Sequence, residues 1–123
     1  MIKSALMVGL GGFIGSSSRF LIQQLFFKLI PGFIPSGTFV ANIIGCLLIG
    51  IFIQYTGKLE SQWLYFLTAG VCGGFTTFSA FALENNNLIA SGEKSTALIY
   101  TFSTLIIGFL ATFIGMQIGK SFL

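Results

Sequence analysis

Four apolar runs set the limits on what this chain can become. They extend from about Ser4 to Leu29, Thr38 to Tyr55, Trp63 to Ala90 and Thr96 to Ile118. A helix rises about 1.5 Å per residue, so roughly 20 apolar residues cross the hydrocarbon of a bilayer. Each run is near or above that length. The connectors are short and carry turn residues: Pro31, Gly32, Pro35 and Gly37 between the first two runs, then Gly57-Lys58-Leu59-Glu60, then Ser91-Gly92-Glu93-Lys94. The expected fold is an all-α membrane protein of four transmembrane helices, forming one unit over residues 1–123.

Composition agrees. Only 7% of the residues are charged and 54% are hydrophobic, against about a quarter charged in a soluble domain. Mean hydropathy is +0.95. Such a chain cannot cover itself with polar groups. The first run continues past signal-peptide length, so it is read as a span and not as a cleaved leader. The formal charge of +3 is scattered one residue at a time, which leaves no basic patch for nucleic acid. Cys46 and Cys72 lie in apolar runs and read as small buried hydrophobes. There is no histidine, which removes the commonest metal ligand and general base. An enzyme is the least expected class.

Four spans put both termini on one side. That side carries Lys3, Lys58 and Lys120; the other carries Lys28 and Lys94, with Arg19 toward that half of the first span. Lysine and arginine bias in short loops sets orientation, and here the bias is close to zero. Such a chain is expected to insert both ways up and to assemble as an antiparallel, dual-topology homodimer. The chain also has 16 glycines. Gly11, Gly12 and Gly15 form a small-residue face in the first span, as do Gly108, Gly115 and Gly119 in the fourth. Such faces let helices approach closely, either between copies or within one chain.

The third run contains GVCGGFTTFSAF, Gly70 to Phe81. Irregular backbone survives at membrane depth only when buried in protein or lining a cavity. Gly73-Gly74 followed by Phe75-Thr76-Thr77 reads as a helix break near residues 73–77, although glycines that merely permit close packing give the same letters. Freed carbonyls at a break could meet a cation, and a half-helix N-terminus an anion. Phe78 and Phe81 share a face one turn apart. Among 15 phenylalanines such a pair is often lipid contact or core; alternatively, the positive ring edges could hold an anion weakly. Asn42 needs partners in an apolar setting, on a neighbouring helix or on a passing ligand. Thr104, Gly108 and Thr112 lie on one face of the fourth run, where hydroxyls bonded back to their own helix are the alternative to a polar track. Arg19 and Glu84 are the charges nearest membrane depth, and a charge there marks a function or a pair. Glu84 precedes Asn85-Asn86-Asn87, which suggests a wet vestibule.

Taken together, GGFIGSSSR in the first run, GTFVANIIG in the second and GVCGGFTTFSAF in the third resemble the Fluc (CrcB) family of fluoride channels, over the whole chain. The resemblance implies a fluoride-selective channel that exports fluoride passively, through two pores of an antiparallel dimer, each pore built from both subunits. It makes Phe78 and Phe81 the aromatic box beside the ion path, with Tyr100 contacting that aromatic region from the fourth helix, and Asn42 a pore-lining donor. Thr77, Ser79 and Thr104 would add hydroxyl donors along the anion pathway, with Glu84 and Arg19 as its charges and Glu84 at a vestibule. The carbonyls of Gly73 and Thr76 would hold a structural sodium ion at the dimer centre. The hydroxyl track matches less well, because Gly108 stands where some members have a hydroxyl. A bacterial inner membrane is the implied location. Two other classes compete. Small proton-coupled drug exporters are also four-helix dual-topology dimers, but they need a carboxylate in the first helix, and here no Asp or Glu precedes Glu60. A structural subunit of a larger complex would show biased topology and no function alone.

Overall fold

The computed structural model describes residues 1–32 and 35–123; the connector residues Phe33 and Ile34 lie outside the described residues. Among the described residues, four helical spans are long and apolar enough to cross a membrane: Ile2–Leu29, Ser36–Tyr55, Ser61–Ala90 and Lys94–Ser121. The chain is therefore a multi-pass membrane protein. Each span starts a few residues before the apolar run read from the sequence, because backbone i→i−4 bonding continues into polar flanks that hydropathy does not score.

The first span is one helix, α1 (Ile2–Leu29). The second is α2 (Ser36–Phe52), which tightens into a 3₁₀ turn over Ile53–Tyr55. Pro35 stands at the N-cap of α2, where a proline costs no helical hydrogen bond. The third span is assembled from pieces. A short helix α3 (Ser61–Tyr65) runs into a π-type segment, Phe66–Cys72, then into α4 (Gly73–Phe75). Thr76 (φ −90°, ψ 157°) and Thr77 (φ −151°, ψ 121°) are extended, and α5 (Phe78–Ala90) follows. The fourth span is α6 (Lys94–Ser121). Gly57 (φ 81°) and Gly92 (φ 83°) turn the chain between spans, in a left-handed conformation that a side chain would resist.

Outside a thin core, large side chains point outward. Phe13, Phe109 and Phe113 are among many exposed apolar residues, while Ala41, Cys72, Phe75 and Ala111 are buried. This inversion of soluble packing is what a hydrocarbon solvent permits, since lipid tails accept Phe and Leu at no cost. Without a hydrophobic drive between helices, contact depends on backbones coming close. Two glycine sets do this inside the chain. α1 lies against the π-type segment through Gly11 and Gly15: a Cβ on Gly11 would sit 2.9 Å from Gly70 Cα, and one on Gly15 would sit 2.8 Å from Phe75 N. α2 and α6 form the most extensive helix pair. There a Cβ on Gly50 would meet Met116 N at 2.9 Å, and one on Gly115 would land on the Leu47 carbonyl oxygen. Gly11, Gly15, Gly115 and Gly119 are thus taken up by packing within the chain.

Gly115→Ala should therefore push α6 off α2 and lower stability by about 1–3 kcal/mol, the usual cost of overpacking a tight contact. Gly9→Ala, where an added Cβ meets nothing within 4 Å, should be neutral or stabilising by about 0.5–1 kcal/mol from helix propensity. Thermal unfolding of both variants in detergent checks this, and equal midpoints would show that the α2–α6 contact does not limit stability.

Candidate functional site

The interruption at Thr76–Thr77 organises the site, and neighbouring helices hold it. Two extended residues break the ladder, so backbone groups on both sides lose their intrahelical partners. Asn42 of α2 is buried opposite and restores two bonds at once: Thr77 N donates to Asn42 Oδ1 at 2.8 Å, and Asn42 Nδ2 donates to the Thr77 carbonyl at 3.2 Å. The amide thus stands in for a strand neighbour. Thr77 also caps α5, its hydroxyl accepting from Ala80 N at 3.2 Å and lying 3.2 Å from Ser79 Oγ. Upstream, the Cys72 carbonyl accepts from Thr76 N at 3.0 Å and from the Thr76 hydroxyl at 2.9 Å. Arg19 Nε of α1 donates to the Gly74 carbonyl at 3.0 Å. Gly45 of α2 leaves the room that the Thr76 methyl occupies.

An open cleft of about 740 Å³ runs along this interruption. Asn42, Thr77, Phe78, Phe81 and Thr104 line it, and so do Gly73 and Thr76. Phe78 is 79% exposed, far more than its neighbour Phe81, and the two rings lie 5.9 Å apart. Phe81 in turn packs on Tyr100 with centroids 5.0 Å apart and planes tilted by 60°. The ladder Phe78–Phe81–Tyr100 therefore joins α5 to α6. Thr104 Oγ1 is buried and has no hydrogen-bond partner among the described residues, while Thr112 is bonded back to the Gly108 carbonyl at 3.2 Å. The α6 face is thus divided: Thr112 satisfies its own helix and Thr104 keeps a free hydroxyl at the cleft.

Glu84 lies one turn beyond Phe81, on a different and more polar recess of about 240 Å³ lined also by Gln23, Gln24 and Thr38. Its carboxylate accepts from the Thr38 hydroxyl at 2.9 Å and from the Tyr100 hydroxyl at 3.4 Å, and Gln23 Nε2 donates to Thr38 Oγ1 at 3.0 Å. The asparagines that follow are tied more locally: Asn85 donates to the Phe81 carbonyl at 3.0 Å and accepts from Thr101 at 3.0 Å, and Asn86 donates to the Ala82 carbonyl at 2.9 Å.

The sequence-derived residues thus fall into two neighbouring places. Asn42, Thr77, Phe78, Phe81 and Thr104 share the cleft, with Ser79 beside Thr77. Tyr100 stands between the cleft and the Glu84 recess. Arg19 lines neither and is turned onto Gly74. Thr38 and Gln23 escaped sequence reasoning. Both carry a helical signal, because Thr38 precedes Asn42 by one turn on α2 and Gln23 follows Arg19 by one turn on α1.

A cation would find neutral oxygens here. The described residues contain no cluster of three or more His, Cys, Asp or Glu side chains that could hold a metal. No side chain among the described residues donates to the Gly73 or Thr76 carbonyl, whereas those of Gly74 and Cys72 are taken by Arg19 and the Thr76 hydroxyl, and Gly73 and Thr76 both line the cleft. Neutral carbonyl oxygens suit a hard ion that keeps no preference for nitrogen or sulfur.

The chain is similar to known proteins over nearly its whole length. Residues 6–116 match the model of the CrcB-like protein family, described as Camphor Resistance (CrcB). A protein of Flavobacterium psychrophilum named fluoride-specific ion channel FluC is 41% identical, covering 97% of this chain and 98% of its own. A FluC of Paracoccus denitrificans is 41% identical over 98% of this chain and 97% of its own, and one of Azobacteroides pseudotrichonymphae is 37% identical over 99% and 100%. With a family match over most of its length and relatives aligned from end to end, the chain belongs to the CrcB family, whose members are ion channels and not enzymes.

Proposed function

We propose that this protein is a passive fluoride channel whose ion path follows the cleft at the Thr76–Thr77 interruption. The observation that carries the reading is the cleft itself: weak donors and two aromatic rings line it with no lysine or arginine among them, in a chain whose relatives are named fluoride-specific channels. Fluoride is small and strongly hydrated, so entry requires donors that replace water. Asn42 has two N–H groups, one spent on Thr77. The other, with the hydroxyls of Ser79 and Thr104, can meet an anion in the cleft. The positive edges of Phe78 and Phe81 add attraction that is weak enough for the ion to leave. Flow is downhill, so fluoride that enters an acidified cell as HF leaves as the ion.

In this reading the open cleft is covered by a second copy in the opposite orientation, so that each of two pores is built from both chains and the break lies at membrane depth. The near-equal distribution of lysines supports insertion both ways up. Gly73 and Thr76 of each chain would together offer four carbonyls to a structural sodium ion, whose charge would tie the two interruptions together.

The direct test is fluoride against chloride efflux from liposomes carrying the purified protein. Rapid fluoride loss with chloride retained supports the channel; fluoride held by well-folded protein in sodium buffer would favour an assembly subunit instead. Phe81→Ile keeps an apolar volume but removes the ring edge and the Tyr100 stack. It should slow fluoride efflux at least about tenfold, the effect of about 1.4 kcal/mol on a barrier, while the protein still elutes as a dimer.

A second expectation concerns orientation. Adding one lysine to each connector on one side should fix the topology and abolish transport. Co-expression with the oppositely biased variant should restore it. Transport by a single biased variant would refute the antiparallel arrangement.

A further inference from the structure

We infer that Arg19 is the positioning residue that decides which carbonyls of the interruption are left for a cation. This rests on the cation-site reading above and concerns how that site is built. The helical segment that ends at Phe75 must dispose of its last carbonyls. The chain covers two of them. Cys72 accepts from the backbone and hydroxyl of Thr76. Gly74 accepts from Arg19 Nε at 3.0 Å, across 55 residues of sequence. No side chain among the described residues donates to the carbonyls of Gly73, Phe75 or Thr76, and of these three residues Gly73 and Thr76 line the cleft.

The division follows the geometry of α1. Gly74 faces that helix so closely that a Cβ on it would meet the Gly12 carbonyl oxygen at 2.7 Å and Ser16 N at 3.1 Å. Gly73 faces the other way, into the cleft, and a Cβ there would meet nothing nearer than 3.8 Å. Arg19 is half-buried, and its partner is a neutral carbonyl and not a carboxylate. A guanidinium at a helix C-terminus is favoured by the partial negative charge of that end. Its bond is charge-assisted and therefore strong and short-ranged. It fixes the upstream end of residues 74–77, as Asn42 fixes the downstream end at Thr77. Thr76 lies between these two anchors and Gly73 directly before the first, so the separation of their oxygens is held from both sides. Oxygens held at a set separation can tell apart cations that differ mainly in radius.

The test uses purified protein in detergent, with the melting midpoint titrated by NaCl or KCl at ionic strength held constant with choline chloride. Wild type should be stabilised by sodium at lower concentration than by potassium. In Arg19→Met, which keeps bulk but has no donor, the sodium concentration for half-maximal stabilisation should rise by at least about tenfold, read from the ligand dependence of the midpoint. Its preference over potassium should shrink. Arg19→Lys, which keeps a charge and a donor, should fall between, and it carries the test alone should Arg19→Met fail to fold. A uniform drop of midpoint in all three salts, with the sodium preference intact, would mean that Arg19 merely braces the fold and would overturn the inference. Wild type that does not respond to sodium would overturn the cation-site reading as well.

Discussion

The reciprocal pair between Asn42 and Thr77 is the contact on which the rest of the site depends. An unwound stretch in an apolar solvent exposes N–H and C=O groups, and each one left bare costs several kcal/mol. One amide side chain on α2 satisfies both of those at Thr77. Once that residue is pinned, its hydroxyl is free to cap α5, and α5 begins with Phe78. The position of Phe78, and one turn later of Phe81, therefore follows from a bond made just upstream. Asn42 has a structural duty and a spare N–H, and the first keeps the second in place.

Part of this was legible in the letters. Apolar run length and the scarcity of charge pointed to four spans, because a bilayer imposes a length that any sequence must meet. The third-span residues stood out because Gly-Gly followed by Thr-Thr is a poor continuation of an apolar helix. The π-type geometry over Phe66–Cys72 was not legible: Phe-Leu-Thr-Ala-Gly-Val-Cys is an ordinary apolar heptad, and nothing in it announces the wider backbone that lies against α1 at Gly11 and Gly15. Nor could the sequence say where Arg19 would turn. A charge at depth announces a partner, and a carboxylate such as Glu84 is the natural guess. The guanidinium instead meets a carbonyl that exists as an acceptor only because the helix ends there.

The same holds for Glu84. Its spacing from Phe81 places it on α5 but says nothing of Thr38 of α2, which donates to it, or of Gln23 of α1, which donates to Thr38. Polar residues in an apolar chain find one another across helices, because water is not there to take their bonds. Side-chain hydrogen bonds between distant segments therefore carry information that periodicity does not. In a soluble protein Gln23 would be an ordinary surface residue; here it completes a chain of donors that ends on a carboxylate.

The distribution of charge suggests why the cleft can suit a mobile anion. An anion path lined by arginine would bind fluoride and keep it, since a full charge in a low-dielectric setting is a deep well. Arg19 belongs to one of the motifs that build the site, yet its bonded nitrogen is committed to Gly74 on the far side of the third span. What lines the cleft is an amide, hydroxyls and two phenylalanine rings. On the proposed path each would be a shallow well, and several in succession would let an ion trade one contact for the next. A chain that ties its cation to a carbonyl and leaves neutral donors along the opening satisfies two demands at once. The helix end is neutralised by Arg19, and an anion on the proposed path would meet no fixed charge from which it could not depart.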